Sequence, residues 1–218
     1  STGDKDTLPS RLVTEPLLNI NPDGSLGPVL AAEVPSLENG GVAPDGMSVT
    51  YKLKQGVVWS DGEPFTARDV RFTWEWVANP DNNSPNQAVY QVIRDVEIVD
   101  DYTVTLHFYE PTPGWFNPFV GGFKGGILPE HIMKDYVGER AREAPFNLAP
   151  IGTGPFKVVE FRPGDVVLFE INEHFREPDK PYFQRIEWKG GGDPTSAGRA
   201  VLQTGEADFA WNLQVDKQ

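Results

Sequence analysis

Alternation of apolar and polar side chains with a period of two dominates the middle of the chain. Val49-Thr50-Tyr51-Lys52-Leu53-Lys54 has the pattern of a half-buried strand. Gly56 interrupts it before Val57-Val58-Trp59, which reads as a further strand. Two more alternating runs, 94–99 and 102–109, meet at Asp100-Asp101 and predict a hairpin. A second hairpin is predicted from 156–161 and 166–171, across Arg162-Pro163-Gly164-Asp165, whose Pro-Gly suits a type II turn. Ile186-Glu187-Trp188 gives one more strand. Helices are predicted over 10–18, closed by the turn formers of NINPDGSLGP, and after Thr66, where Val70, Trp74 and Val77 recur until Asn79-Pro80. A short helix is expected from Pro129 to Tyr136. Another covers 195–204, with Ala197, Ala200, Val201 and Thr204 on one face; Gly205 ends it, and 207–211 resumes strand. Hairpins and helices fall in separate blocks instead of a βαβ alternation, so the fold class is α+β (mixed α/β).

Composition narrows the function classes. The 218 residues suffice for one large domain or two small ones, and 22 Gly with 20 Pro imply short elements and many turns. With 19 basic and 32 acidic side chains the formal charge is −13, and no basic stripe is present. Nucleic acid is therefore excluded as a partner, because phosphate binding needs clustered Lys and Arg. The lack of cysteine removes disulfides, thiolate ligands and Cys nucleophiles together. No apolar run approaches the roughly 20 residues of a membrane span, and STGDKDTLPS has no signal-peptide core.

The acids offer the first candidate chemistry. Asp61, Glu63 and Asp69 lie close together in WSDGEPFTARDV, beside Trp59. Thr66 and Asp69 match a capping box, Asp61-Gly62 is a turn signal, and the stretch reads as structure. Asn19-x-Asn21-x-Asp23-Gly24 copies half of a calcium loop, but its twelfth position is Leu30, so it reads as a turn. Gly152-Thr153-Gly154-Pro155 lacks a P-loop lysine and reads as a tight lead-in to the strand at Phe156. His107, His131 and His174 are dispersed without metal-ligand spacing, and no G-x-S-x-G elbow occurs. Neither catalytic residues nor a metal or other cofactor are assigned. Trp59 and Trp74 read as core; Trp115 and Trp211 lie in a loop and near a strand end.

GPVLAAEVPSLENGGV followed by MSVTYKLKQGVVWSDGEPFTARDVRFTWEWV is similar to the "P-x-LA-x-x-W" step, alternating strand and "G-V-x-W-x-DG-x-P-x-TA-x-DV-x-F" of a known family, the extracellular solute-binding proteins of ABC importers, family 5. VDDYTVTLHFYEPTP, PIGTGPFKVVEFRPGDVVLFEINEHFREPDKP and AVLQTGEADFAW resemble its later blocks in order and spacing, from about Val13 to Trp211. Val34 stands in place of the usual Trp, Phe156 and Phe175 in place of Tyr, and ENGGVAPDG lengthens a turn.

The resemblance implies a periplasmic-binding-protein-like type II lobe with an extra subdomain. Residues 1–39 and 150–218 are then expected to form an incomplete core sheet, and 40–149 the inserted subdomain, with the second lobe absent. It further implies a binding protein, not an enzyme. An extracellular solute would be trapped between two lobes and passed to the transmembrane subunits of an ABC permease. The solute would be a peptide most commonly, or an oligosaccharide or metal chelate. An extracytoplasmic location follows, in the periplasm or lipid-anchored at the outer face of the cell membrane. Ligand-facing residues are expected at Thr14 and Glu15, and at Trp211, Asn212 and Leu213 near the hinge. Glu15 is placed to meet a ligand cation and Trp211 to stack. A secreted carbohydrate-active enzyme, using acids beside tryptophans, and a stand-alone interaction module are the alternatives.

Overall fold

The computed structural model describes residues 9–121, 125–190 and 193–210. The expected first helix closes a single turn, with the Thr14 amide donating to the Ser10 carbonyl at 2.8 Å, and does not reach residue 18. Pro16 explains the correction: it lacks an amide and pushes the residue before it toward extended backbone. The chain then pairs outward, and Leu18–Ile20 (β1) forms a hairpin with Leu26–Pro28 (β2). The half-calcium motif is the loop of this hairpin. Asn21 donates to Ser25, the Asp23 carboxylate accepts from Ser25, and Gly24 takes a left-handed φ of 86°.

Ser48–Lys52 (β3), Ile93–Asp100 (β4) and Thr103–Phe108 (β5) form an antiparallel sheet in the order β3-β5-β4. The expected hairpin at Asp100-Asp101 is present, with the Asp100 carboxylate accepting the Tyr102 amide. Val57-Val58-Trp59 is not a strand. It forms a tight loop in which Phe65 donates to Val57 and Trp59 donates to Glu63, with a single bridge between Val58 and Pro64. Pro64 has no amide with which to continue a ladder. Ala67–Ala78 (α1) lies against β4 and β5, burying Val70 and Val77 and half-burying Trp74. One-turn helices follow at Gln87–Tyr90 (α2) and Glu130–Met133 (α3). The latter stops short of Tyr136, whose amide turns back to Met133 and whose carbonyl accepts the Trp76 indole at 2.9 Å.

Phe156–Arg162 (β6), Val166–Ile171 (β7) and Arg185–Lys189 (β8) make a second antiparallel sheet in sequence order. Its first turn is as expected: Asp165 donates to Arg162, and Gly164 has φ 80°. Pro194–Leu202 (α4) is capped by Asp193. Residues 207–210 do not pair as a strand; the Ala207 amide returns to the Ala200 carbonyl, folding the segment onto α4. Trp211 lies outside the described residues.

Two cores result. The larger joins Leu17, Leu18, Leu30 and Ala31 to the first sheet, α1, Trp59 and Phe119. The smaller consists of Val13, Phe156 and Phe169, with Val158 and Trp188 packed against it. Between them the chain at 152–156 passes so close to residues 12–13 that positions 152 and 154 have no room for a side chain. Gly154 donates to the Val13 carbonyl at 2.8 Å and Phe156 to Leu12 at 3.0 Å. A Cβ on Gly152 would fall inside the Val13 carbonyl, and one on Gly154 would lie 2.6 Å from it. Gly152→Ala should therefore lower the unfolding free energy by ~3 kcal/mol or more in urea titration. Gly164→Ala has open space around it and only the left-handed φ to oppose, so it should cost about 1 kcal/mol. Equal losses for the two variants would refute the close approach as the cause.

Candidate functional site

The extended segment after the first turn places Glu15 between the two cores. Its side chain is about 10% exposed and accepts two hydrogen bonds from one guanidinium, Arg176 Nη1 to Oε2 at 2.6 Å and Nη2 to Oε1 at 2.9 Å. Thr153 Oγ1 donates to the same Oε2 at 2.9 Å, and the Glu15 carbonyl accepts the Ile127 amide. A bidentate Arg–carboxylate pair is among the strongest and most directional of side-chain contacts. Arg176 also stacks its charge over the Phe175 ring at 5.0 Å. Thr14 turns the other way, and its hydroxyl donates to the Ser10 carbonyl at 3.0 Å.

The Gly-Thr-Gly-Pro stretch is the frame of this site. Ser60 and Gly152 exchange bonds, Thr153 reaches Glu15, and the Asn172 amide group donates to the Gly154 carbonyl at 2.8 Å. Asn172 and Thr153 are both buried. Beside this frame opens a cavity of about 560 Å³, bounded by Lys52, Lys54, Gln55, Tyr102 and Arg176. A second groove of about 400 Å³ runs between Pro35, Pro44, Pro113 and the half-buried Trp115.

Two of the acids around Trp59, Asp61 and Asp69, are occupied with structure. The capping box forms at α1: Thr66 accepts within the first turn and its amide donates to Asp69 Oδ2 at 2.9 Å. Asp69 Oδ1 also accepts the Glu130 amide, so one carboxylate caps α1 and anchors α3. Burial raises the Asp69 carboxyl above its ordinary value, opposed by the backbone amides of Glu130 and Thr66, which favour the charged form. Asp61 pairs with His131 at 2.9 Å, and Glu63 is exposed. Among the described residues, no group of three His, Asp or Glu side chains is placed to hold a metal ion.

Of the expected ligand-facing residues, Glu15 carries the Arg176 pair and Thr14, its neighbour in sequence, bonds back to Ser10, while Trp211, Asn212 and Leu213 lie outside the described residues. Arg176 and Lys54 belong to no candidate-site motif of the sequence, and Thr153 belongs to the Gly-Thr-Gly-Pro stretch read there only as a tight lead-in. Arg176 meets Glu15 from 161 positions away, a pairing that no local pattern encodes.

The family model of the bacterial extracellular solute-binding proteins, family 5 Middle, matches residues 26–218. The chain belongs to this family. The match takes in Arg176 and Thr153 but begins after Glu15. The oligopeptide-binding protein AppA of Bacillus subtilis is 32% identical over 165 residues, which is 75% of this chain and 30% of AppA. The glutathione-binding protein GsiB of Salmonella paratyphi A is 28% identical over 176 residues, covering 81% of this chain and 33% of GsiB. The structure of AppA from Bacillus subtilis with a nonapeptide superposes with a TM-score of 0.81 at 27% identity, over 94% of this chain and 39% of AppA. NikZ of Campylobacter jejuni, in complex with Ni(L-His), gives a TM-score of 0.77 at 33% identity, over 90% of this chain and 37% of NikZ. The fold is thus that of part of a type II periplasmic binding protein lobe. The chain spans about a third of the length of the curated relatives it matches.

The Glu15–Arg176 contact makes a stability prediction. Removing one member of a largely buried pair strands the other charge, whereas replacing both with apolar groups need not be costly. Glu15→Ala should lower the unfolding free energy by about 3 kcal/mol. The double variant Glu15→Ala/Arg176→Met should recover at least half of that loss, read from urea denaturation as a double-mutant cycle. Strictly additive losses would show that the two side chains are not coupled.

Proposed function

We propose that this chain is part of the solute-binding component of an ABC importer, which captures an extracytoplasmic solute between two lobes and hands it to a membrane permease. The observation that carries the reading is the superposition on peptide-bound AppA over 94% of this chain. Oligopeptide is the favoured cargo because AppA is an oligopeptide-binding protein and GsiB binds a peptide, glutathione. NikZ, at 33% identity and holding Ni(L-His), supports a metal chelate as the second reading. The mechanism is binding by hinge closure with no covalent step. In support, two of the three acids beside Trp59 are committed to structure, Asp69 to capping α1 and Asp61 to pairing with His131.

Residues 1–39 and 150–218 are read as lobe core and 40–149 as the inserted subdomain, supported by the separate sheets on either side of residue 150. Leu17, Leu18, Leu30 and Ala31 pack against the subdomain and fasten it to the lobe. Thr14 and Glu15, with Trp211, Asn212 and Leu213, are proposed to border the cleft. Glu15 is held by Arg176, so its proposed role there is to fix the cleft wall. The location is extracytoplasmic, with a lipid anchor as the finer proposal.

Closure around a solute supplies contacts from both lobes, so one lobe alone should bind weakly. Calorimetry of the 218-residue chain with a mixed nonapeptide library, or with Ni(L-His), should give millimolar or undetectable affinity. The protein encoded by the complete reading frame should bind one of these in the micromolar range or tighter. Micromolar binding by this chain alone, or no binding by the complete protein, would overturn the reading.

A further inference from the structure

Among the described residues, the charges on the wall of the 560 Å³ cavity other than Lys54 and Asp100 are already paired. Glu15 is taken by Arg176, Glu177 by Lys180 at 2.8 Å, and Glu33 by Lys52 at 3.0 Å. Lys54 is left over. It is half-buried, and among the described residues no carboxylate lies within ion-pair distance of its ammonium. Its backbone is fixed, because the Lys54 amide donates to the Leu30 carbonyl at the end of β3. Burial, and then the neighbouring Arg176 charge, pull the Lys54 pKa below its ordinary value; Glu15 and Glu177 only partly offset this. The ammonium of a half-buried lysine that borders an open cavity beside a second cation gains most from a bound anion.

We propose that the cavity between Lys54 and Arg176 is a binding site for a small oxyanion, a carboxylate or phosphate group, with Lys54 as its anchor. Lys54 supplies a flexible point charge with three donors, and the Gln55, Tyr102 and Thr103 side chains on the wall add polar groups. Among the described residues Asp100 is the one carboxylate on the wall; it accepts the Tyr102 amide at 2.8 Å. In a chain of charge −13, and among the described residues, Lys54 is the wall cation that no carboxylate already pairs, so it is the group that draws an anion into the pocket. The proposal does not rest on the importer reading, since the site is built within this chain.

The test is an amide-detected NMR titration of the 218-residue chain with inorganic phosphate. Parallel titrations use acetyl-dialanine with a free carboxylate and the same peptide as its amide. Phosphate or the free carboxylate should shift the amides of Lys54, Gln55 and Arg176, and the peptide amide should not. A response to phosphate alone identifies a free anion as the ligand; a response to the carboxylate identifies an acidic end group. Lys54→Gln should weaken binding about tenfold, and Lys54→Arg, which keeps the charge, should stay within about threefold of the parent. Lys189→Gln, an exposed cation elsewhere, should change nothing. The site is refuted if those amides stay still at tens of millimolar anion, if Lys54→Gln binds like the parent, or if Lys189→Gln weakens binding equally. Thermal unfolding of each variant identifies any that fails to fold, and Lys54→Arg then carries the comparison.

Discussion

Residues 12–18 are the constraint on which the rest of the molecule depends. Within that short stretch Val13 enters the smaller core, Leu17 and Leu18 enter the larger one, and Glu15 lies between them. Nearly every backbone group of the stretch serves a different neighbour. Leu12 and Val13 accept from the strand lead-in at 154–156, Glu15 from Ile127, Leu17 from Val29, and Leu18 from Gly121. A buried backbone left unpaired is costly, so this segment cannot move without releasing partners in four separate parts of the chain. It joins two sheets that share no strand.

That role explains why particular residues sit where they do. Pro16 ends the first turn and holds the chain extended, which a helix through residue 18 would have prevented. Gly152 and Gly154 allow the opposing strand lead-in to approach until only hydrogen atoms separate the backbones. The acids of the Trp59 loop do comparable work further along. Asp69 satisfies an amide of α1 and an amide of α3 with one carboxylate, so two elements about sixty positions apart are set by one side chain.

Local features of the fold were legible in the sequence where a single period or turn governs them. The hairpins at Asp100 and Gly164, the Thr66–Asp69 capping box and the Asn21–Gly24 turn all depend on residues within a few positions of one another. The misreadings arose where distant partners decide. The helix expected over 10–18 lost to extended pairing with four remote segments, and Val57-Val58-Trp59 has strand composition but is closed into a loop by Pro64. The same limit applied to the site. Glu15 was singled out by its place in a family block, but the partner that neutralises it, Arg176, carries no local mark. Lys54 is legible only as an alternating strand residue until the structure shows which carboxylates its neighbours have already taken.

The polar socket for Glu15 poses an energetic question, because a buried ion pair is rarely more stabilising than well-packed apolar side chains of the same volume. Its value here lies in register. Along the extended backbone that begins at Glu15, a slip by two residues keeps the facing alternation and would bring Leu17 to the position of Glu15. An apolar socket would accept Leu17 nearly as well as its proper occupant. A socket made of the Arg176 guanidinium and the Thr153 hydroxyl rejects it, because Leu17 would leave a charge and a hydroxyl unpaired in a largely buried space. The fork geometry then distinguishes the correct register from that slip by a full unpaired charge. Since β1, the larger core and the lead-in to β6 all take their positions from this segment, one side chain sets the relation between the two halves of the described fold.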